Sequence, residues 1–305
     1  MGELVELPWS VPRLPRPAVT LAVLQAVATF ERSGAVRLEG GAAPPDRFAT
    51  AGALEGCYAA TPVSCSRLMK PIVLVHGMYF GGWSWRKVAA PLREAGHVVY
   101  APSLTGCGDR VHLSRPGITI ETLGHDIANL LRYENLRDVV LVATSTGGMA
   151  VARAAELEPE RVGHLLLVDA LIPFAGQAAV ETVPPQWKPT WEAGTIADTD
   201  AIESSQASID RLLGQLEPDD AEAVLTRRTT FPRAPMFEPV DLRRFWQGGW
   251  PTTVVFCTRT HNPPQDVQRR AADLLEAEWL PLDSAHLPFF EKPAELASII
   301  LERSR

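Results

Sequence analysis

Short apolar runs alternate along the chain with segments of helical periodicity. The apolar runs, typical of strands buried on both faces, are Ile72–Val75, His97–Ala101, Val139–Val142, His164–Val168, Thr252–Cys257 and Glu278–Leu282. Segments with the spacing of amphipathic helices lie between or after them: Arg86–Ala95, Thr119–Arg132, Met149–Leu157, Gln265–Glu276 and Pro293–Leu301. This alternation predicts an α/β fold with a mostly parallel, doubly wound sheet.

The alternation breaks between residues 176 and 249, which are rich in proline and aromatic residues. The segment holds two or three helical stretches, such as Ile209–Leu216 and Asp220–Thr229. We interpret it as a helical cap inserted between two parts of the core, 71–175 and 250–305. Its aromatic residues either fix the cap to the core or line an apolar pocket. For the second case, the candidate substrate contacts are Trp187, Trp191 and Trp246, together with Tyr79 of the core.

Residues 1–70 form an N-terminal extension without a predicted chemical role. Ala18–Arg32 has the spacing of an amphipathic helix. An alternative interpretation makes Arg13–Ala28 a signal peptide, but acidic residues precede it. No apolar run reaches membrane-spanning length, and we expect a cytoplasmic protein that does not bind membranes. The extension could pack on the core, cover the site or mediate a homodimer.

Charge and cysteine content exclude several classes of function. The net charge of −7, without a basic run, argues against binding to nucleic acid or anionic membranes. The chain has four cysteines, Cys57, Cys65, Cys107 and Cys257. Their spacing is not that of metal ligands or of a redox motif, so we interpret them as reduced thiols. No nucleotide-binding or zinc motif is present. The sequence therefore predicts neither a metal nor an organic cofactor.

A serine lies in a very tight connection between the strand 139–142 and the helix 149–157. Ser145 has small residues two positions away on each side, Ala143 and Gly147. A serine on a strained strand-to-helix turn needs such small neighbours, and the usual pattern is Gly-x-Ser-x-Gly. The pattern indicates a nucleophile; the alternative is an ordinary turn with a capping residue.

A serine nucleophile needs a base, and the chain has seven histidines. His286 follows the last strand and precedes the last helix, so it falls at the same sheet edge as Ser145. His76 ends the first strand beside this edge, where it would shape the turn or contact a substrate. We therefore predict that His286 is the base.

Four segments resemble the α/β-hydrolase fold superfamily, within it the group of esterases and hydroxynitrile lyases that includes plant methylesterases. They are Val73–Trp85, Ala95–Gly106, Asp283–His286, and the segment from Asp138 that carries Ser145 on the turn between strand and helix. This strand–serine–helix turn is called the elbow. The resemblance implies that Ser145 is the nucleophile and His286 the base. It also implies an oxyanion hole formed by the backbone N–H groups of Met78 and Thr146.

The acid of the triad departs from the usual family pattern. Family members usually carry an aspartate after the strand 252–257, but the loop 258–265 contains no carboxylate. Other superfamily members take the acid from the strand that follows the elbow, and Asp169 stands there. We predict that Asp169 orients His286; the alternative is a Ser–His dyad helped by Asn262.

These features predict a serine hydrolase that cleaves an ester or thioester of a hydrophobic small molecule through an acyl-enzyme. Three alternatives stay open: an acyltransferase or cyclase of specialised metabolism, a lyase of the hydroxynitrile type, and a binding protein that keeps only the fold.

Overall fold

A computed structural model describes residues 69–214, 216–260 and 262–305. The predicted helix Ala18–Arg32, the alternative signal peptide Arg13–Ala28, and nearly all of the extension 1–70 lie outside these residues. Cys57 and Cys65 lie outside them as well.

The described strands and helices follow the predicted alternation. The strands are β1 (Ile72–Val75), β2 (Val99–Tyr100), β3 (Val139–Thr144), β4 (Val162–Val168), β5 (Thr195–Ile196), β6 (Ala201–Ile202), β7 (Phe231–Pro232), β8 (Thr252–Cys257) and β9 (Glu278–Leu282). The α-helices are α1 (Arg86–Glu94), α2 (Ile120–Tyr133), α3 (Gly147–Leu157), α4 (Trp187–Ala193), α5 (Gln206–Leu213), α6 (Pro218–Arg227), α7 (Ala234–Phe237), α8 (Arg243–Trp246), α9 (Gln265–Leu274), α10 (Pro288–Glu291) and α11 (Pro293–Arg303).

The main sheet has six strands in the order β2-β1-β3-β4-β8-β9, and all neighbouring pairs are parallel. Every residue of β1, β3 and β8 is buried, as expected for strands with helices on both faces. The predicted doubly wound α/β fold is confirmed.

The strand order reverses next to β1, and this reversal locates the site. The chain passes from β1 to the edge strand β2, then returns to β3 on the other side of β1. Right-handed connections therefore place α1 on the face opposite to α2 and α3, and α1 packs against α11. Ligands of such sheets bind where the order reverses, at the carboxyl ends of the strands. In this chain that is the gap between the ends of β1 and β3.

The cap segment between β4 and β8 contains the helices α4–α8 and a small sheet. Strands β5, β6 and β7 form an antiparallel three-stranded sheet that the sequence does not predict. Each of these strands has two residues, which is too short for an alternating pattern to be recognised. No α-helix among the described residues combines the length and apolar character needed to cross a bilayer.

Candidate active site

Ser145 occupies a strained turn between β3 and α3. Its φ angle of 49° lies in the left-handed region, which costs a residue other than glycine roughly 1–3 kcal/mol. The residues on either side from Val139 to Ala152 are buried, whereas Ser145 is half-exposed. The turn therefore lifts one serine side chain out of an otherwise buried segment.

Two glycines let the loop after β1 approach the serine. A Cβ on Gly77 would come within 2.7 Å of the Ser145 Cβ, and a Cβ on Gly147 would come within 2.5 Å of the His76 carbonyl oxygen. Both distances are shorter than real Cβ contacts. The His-Gly turn and the elbow are thus in backbone contact, and only glycine fits at these two positions.

Two backbone N–H groups beside Ser145 lack an acceptor. Neither the Met78 N–H nor the Thr146 N–H donates a hydrogen bond to a described residue, and both residues line the same cavity as Ser145. Thr146 immediately precedes α3, whose N-terminal end carries the positive end of the helix dipole. This arrangement is suited to stabilising an oxyanion.

The imidazole of His286 is held by Asp169. The His286 Nδ1 lies 2.5 Å from Asp169 Oδ2, and the Asp169 side chain is fully buried directly after β4. Because a carboxylate only accepts hydrogen bonds, Nδ1 carries the proton and Nε2 presents its lone pair. His286 lines the cavity with Ser145. Among the hydrogen bonds of the described residues, none joins the His286 and Ser145 side chains. In enzymes without bound substrate, catalytic hydrogen bonds are often long or poorly aligned.

The loop after β8 supplies no carboxylate to His286. Asp266, the first carboxylate after that strand, lies exposed in the first turn of α9. Asn262 lines the cavity, but its side-chain oxygen has no hydrogen-bond partner in the described chain. The structure thus pairs the predicted base with Asp169.

The cavity over Ser145 is mostly apolar. It contains about 600 Å³ of space, counting the part open to solvent. Tyr79, Trp187 and Trp191 line it, and the two indole rings are stacked at 5.9 Å. The remaining apolar lining comes from both core and cap: Met78, Phe80, Leu171, Val183, Leu212, Pro263, Leu287 and Phe289.

Trp246 does not line this cavity, contrary to the prediction from sequence. Its indole packs against Phe245 and Phe174, with ring centroids 5.1 Å away in both cases. Its Nε1 donates a hydrogen bond to the Pro173 carbonyl at 3.3 Å. Trp246 therefore fixes the cap to the core, which is the alternative that the sequence left open.

The structure likewise corrects the expectation that His76 contacts the substrate. The ring is fully buried and is absent from the cavity lining. Its Nε2 accepts a hydrogen bond from the Leu104 N–H at 3.0 Å, so Nδ1 donates to the Gly77 carbonyl at 2.8 Å. Burial lowers the pKa of His76 to about 4, and the ring stays neutral. It shapes the turn that carries Met78.

The family follows from a model that matches three quarters of the chain. The model of the alpha/beta hydrolase family matches residues 72–299. The chain belongs to the alpha/beta hydrolase family.

Relatives of this hydrolase include named esterases. A carbendazim hydrolyzing esterase of Nocardioides sp. (strain SG-4G) is 37% identical over 154 residues, which is 50% of this chain and 62% of that protein. The chain thus matches less than two thirds of the length of that relative. The putative chloroplastic methylesterase 14 of Arabidopsis thaliana is 27% identical over 309 residues, covering 95% of this chain and 87% of that protein.

The fold of this chain also resembles that of solved structures. An extracellular alpha/beta-hydrolase from a Paenibacillus species superposes with a TM-score of 0.69 at 22% identity, covering 77% of this chain and 99% of that chain. The two chains therefore share the same fold.

The cysteines of the described hydrolase core are not rival nucleophiles. Cys107 and Cys257 are free and buried. Burial raises the pKa of Cys107 to about 12 and raises the pKa of Cys257 further, so both stay protonated near neutral pH. The described residues also contain no cluster of three or more His, Cys, Asp or Glu that could hold a metal ion.

Gln268 is a site residue of this hydrolase that the sequence does not predict. Its Nε2 donates to Asp169 Oδ1 at 2.7 Å and to the Pro263 carbonyl at 3.0 Å. Each carboxylate oxygen of Asp169 thus has its own donor, one from Gln268 and one from His286. A glutamine in an amphipathic helix is usually exposed, but Gln268 shares the buried face of α9 with Ala272. The only indication in the sequence that Gln268 is buried is its position one helical turn before Ala272.

We expect Gln268→Ala to reduce both stability and turnover. Loss of the donor leaves a buried carboxylate oxygen unpaired, which should lower the free energy of unfolding by about 2 kcal/mol. The acid can then rotate away from His286, so kcat should fall roughly tenfold while KM stays unchanged. Urea unfolding and ester kinetics measure the two effects. Gln265→Ala, at the exposed start of the same helix, is the control; equal values for both variants would refute a positioning role for Gln268.

Proposed function

We propose that this hydrolase cleaves carboxylic esters or thioesters of hydrophobic small molecules through an acyl-enzyme on Ser145. One observation carries the proposal. A half-exposed serine at a strained elbow shares an apolar cavity with a histidine whose Nδ1 lies 2.5 Å from a buried aspartate. A serine nucleophile is activated by an adjacent base that a third group orients, and this combination supplies such groups.

The steps of the proposed reaction use these groups in turn. His286 Nε2 accepts the proton of the Ser145 hydroxyl while Oγ forms a bond to the substrate carbonyl carbon. The oxyanion accepts hydrogen bonds from the N–H groups of Met78 and Thr146. The tetrahedral intermediate collapses, the bond to the leaving group breaks, and His286 gives its proton to the departing alcohol or thiol.

Hydrolysis of the acyl-enzyme repeats the sequence with water. His286 Nε2 takes a proton from a water molecule as the water oxygen attacks the acyl carbon. The bond between the acyl carbon and Ser145 Oγ then breaks, His286 returns the proton to Oγ, and the acid leaves. Asp169 holds the ring in the tautomer with Nδ1–H and stabilises the imidazolium in both halves. All proton transfers are made by protein groups, so the mechanism needs no cofactor.

The lining supports a hydrophobic substrate. Aromatic and aliphatic side chains from core and cap surround the serine, and apolar contact area contributes about 25 cal/mol per Å² to substrate binding. The stacked indoles of Trp187 and Trp191 offer flat faces suited to an aromatic substrate.

The proposal is tested with aryl acetates and a fluorophosphonate probe. We expect the wild-type protein to release one equivalent of acid for each equivalent of phenol, and the probe to label the peptide that contains Ser145. Release of phenol only when an added alcohol or amine accepts the acyl group would instead indicate acyl transfer. Absence of both turnover and labelling would refute the proposal.

A further inference from the structure

The cavity lining includes an arginine without a carboxylate partner among the described residues. Arg211, on α5, lines the cavity and is partly exposed to solvent. No described Asp or Glu forms a salt bridge with it, and none lines the cavity. Its sequence neighbour Asp210 instead accepts a hydrogen bond from Gln206. The charge of Arg211 therefore has no carboxylate partner among the described residues, although it lines a mostly apolar cavity.

A buried hydroxyl in the same cavity is also unpartnered. Tyr79 is buried, with 6% of the residue exposed, and no group in the described chain accepts a hydrogen bond from its hydroxyl. Leaving such a group without an acceptor is unfavourable, so an acceptor on a ligand would stabilise it. Burial raises the pKa of Tyr79, against the opposing effects of the nearby Trp191 indole N–H and of the Arg211 charge, so the phenol is neutral and able to donate.

Two aromatic rings of the cap lie beside Arg211. The Arg211 guanidinium lies 4.5 Å from the centroid of the Trp187 ring, and that ring stacks with Trp191. A stacked guanidinium keeps its edge N–H groups free for a planar acceptor. The cavity lining thus combines flat apolar faces with one cation and one hydroxyl donor.

We propose that Arg211 and Tyr79 bind a free carboxylate of the substrate, distinct from its scissile ester. A carboxylate compensates the arginine charge and accepts the hydrogen bond of the tyrosine, whereas a neutral group does only the second. The preferred substrates are then esters of aromatic molecules that carry a second, free carboxylate. This inference rests on the proposed function and specifies its substrate class.

Matched ester pairs test the inference. One pair carries the charge on the alcohol side, 4-acetoxybenzoate against 4-acetoxybenzamide; the other carries it on the acyl side, the monophenyl ester of terephthalic acid against that of terephthalamic acid. For each pair, the ratio of kcat/KM for the carboxylate to kcat/KM for the amide is measured. Only the pair whose carboxylate reaches Arg211 should respond. In that pair we expect Arg211→Gln to lower this ratio roughly tenfold, with a smaller decrease for Tyr79→Phe and for Arg211→Lys.

The control removes a positive charge elsewhere on the cap. Arg244, on α8, is exposed and lies outside the cavity, so Arg244→Gln should keep the wild-type ratio. Ratios in Arg211→Gln that equal the wild-type ratios for both ester pairs would overturn the inference.

Calorimetry separates this inference from the proposed function. 4-Hydroxybenzoate and 4-hydroxybenzamide are titrated into the wild-type protein, in which neither ligand can react. We expect the benzoate to bind more tightly, and Arg211→Gln to remove that preference, even if no ester were hydrolysed. Equal affinities for the two ligands in the wild-type protein would refute the carboxylate site and leave ester hydrolysis untouched.

Discussion

Replacement of Ser145 by alanine is expected to lower kcat for ester hydrolysis by about 10⁵-fold with little change in KM. The variant loses the atom that forms the acyl bond, while the cavity and the N–H groups of Met78 and Thr146 remain. Because Ser145 Oγ makes no hydrogen bond to a described residue, its removal should not affect stability. Steady-state kinetics with an aryl acetate and thermal unfolding measure the two quantities.

A second serine provides the control for this substitution. Ser298 lies on α11, where its hydroxyl donates only to a carbonyl of its own helix, so Ser298→Ala removes the same atom away from the cavity. Its kcat should equal that of the wild-type protein. A Ser145→Ala protein that is folded and retains more than about a tenth of wild-type kcat would contradict a nucleophilic role, because residual catalysis without the nucleophile is far weaker.

Replacement of Asp169 by asparagine is expected to lower kcat about 10⁴-fold, as the loss of the acid does in other triads. The structure gives the reason. Gln268 donates to Oδ1, so the carbonyl oxygen of an asparagine would keep that position and turn its NH₂ toward His286. The NH₂ donates to Nδ1, which then carries no proton, and Nε2 becomes protonated. A protonated Nε2 cannot accept the serine proton.

The backbone at this position tolerates the substitution. Asp169 has a φ angle of 46°, and asparagine adopts this region as readily as aspartate, so the variant should fold. Asp266→Asn, which changes the first carboxylate after β8, is the matched control and should keep wild-type kcat. If Asp266→Asn were inactive and Asp169→Asn active, the acid would come from the usual family position instead.

The central site was predictable because it depends on strand ends. Buried apolar runs are recognisable in sequence, and parallel strands bring their carboxyl ends together at one edge. Residues that directly follow those strands, such as Ser145 and Asp169, could therefore be placed near each other without coordinates. The left-handed φ angles of both residues agree with their positions in tight turns.

Side-chain direction was much less predictable. His76 follows a strand as Asp169 does, but its ring is fully buried and accepts a hydrogen bond from the Leu104 N–H. Trp246 and Trp191 are both cap tryptophans, yet one packs on Phe245 and the other lines the cavity. Such differences arise from tertiary packing, which local sequence does not encode.

Residues that act through other residues left the weakest signal. Gln268 lies far from Asp169 in sequence, on a helix whose polar residues are otherwise expected to face solvent. Arg211 is one of several arginines in the cap, and only the cavity distinguishes it from Arg244. Contacts of this kind depend on how separate elements are packed, so they are visible only in three dimensions.

The account is tested most directly by the mass of the protein caught during turnover. The protein is mixed with 4-nitrophenyl acetate, quenched with acid within milliseconds, digested and analysed by mass spectrometry. We expect one acetyl group on the peptide that contains Ser145, and its disappearance once the substrate is consumed. An acetyl group on another residue, or turnover with no acyl-protein at any quench time, would contradict the proposed role of Ser145.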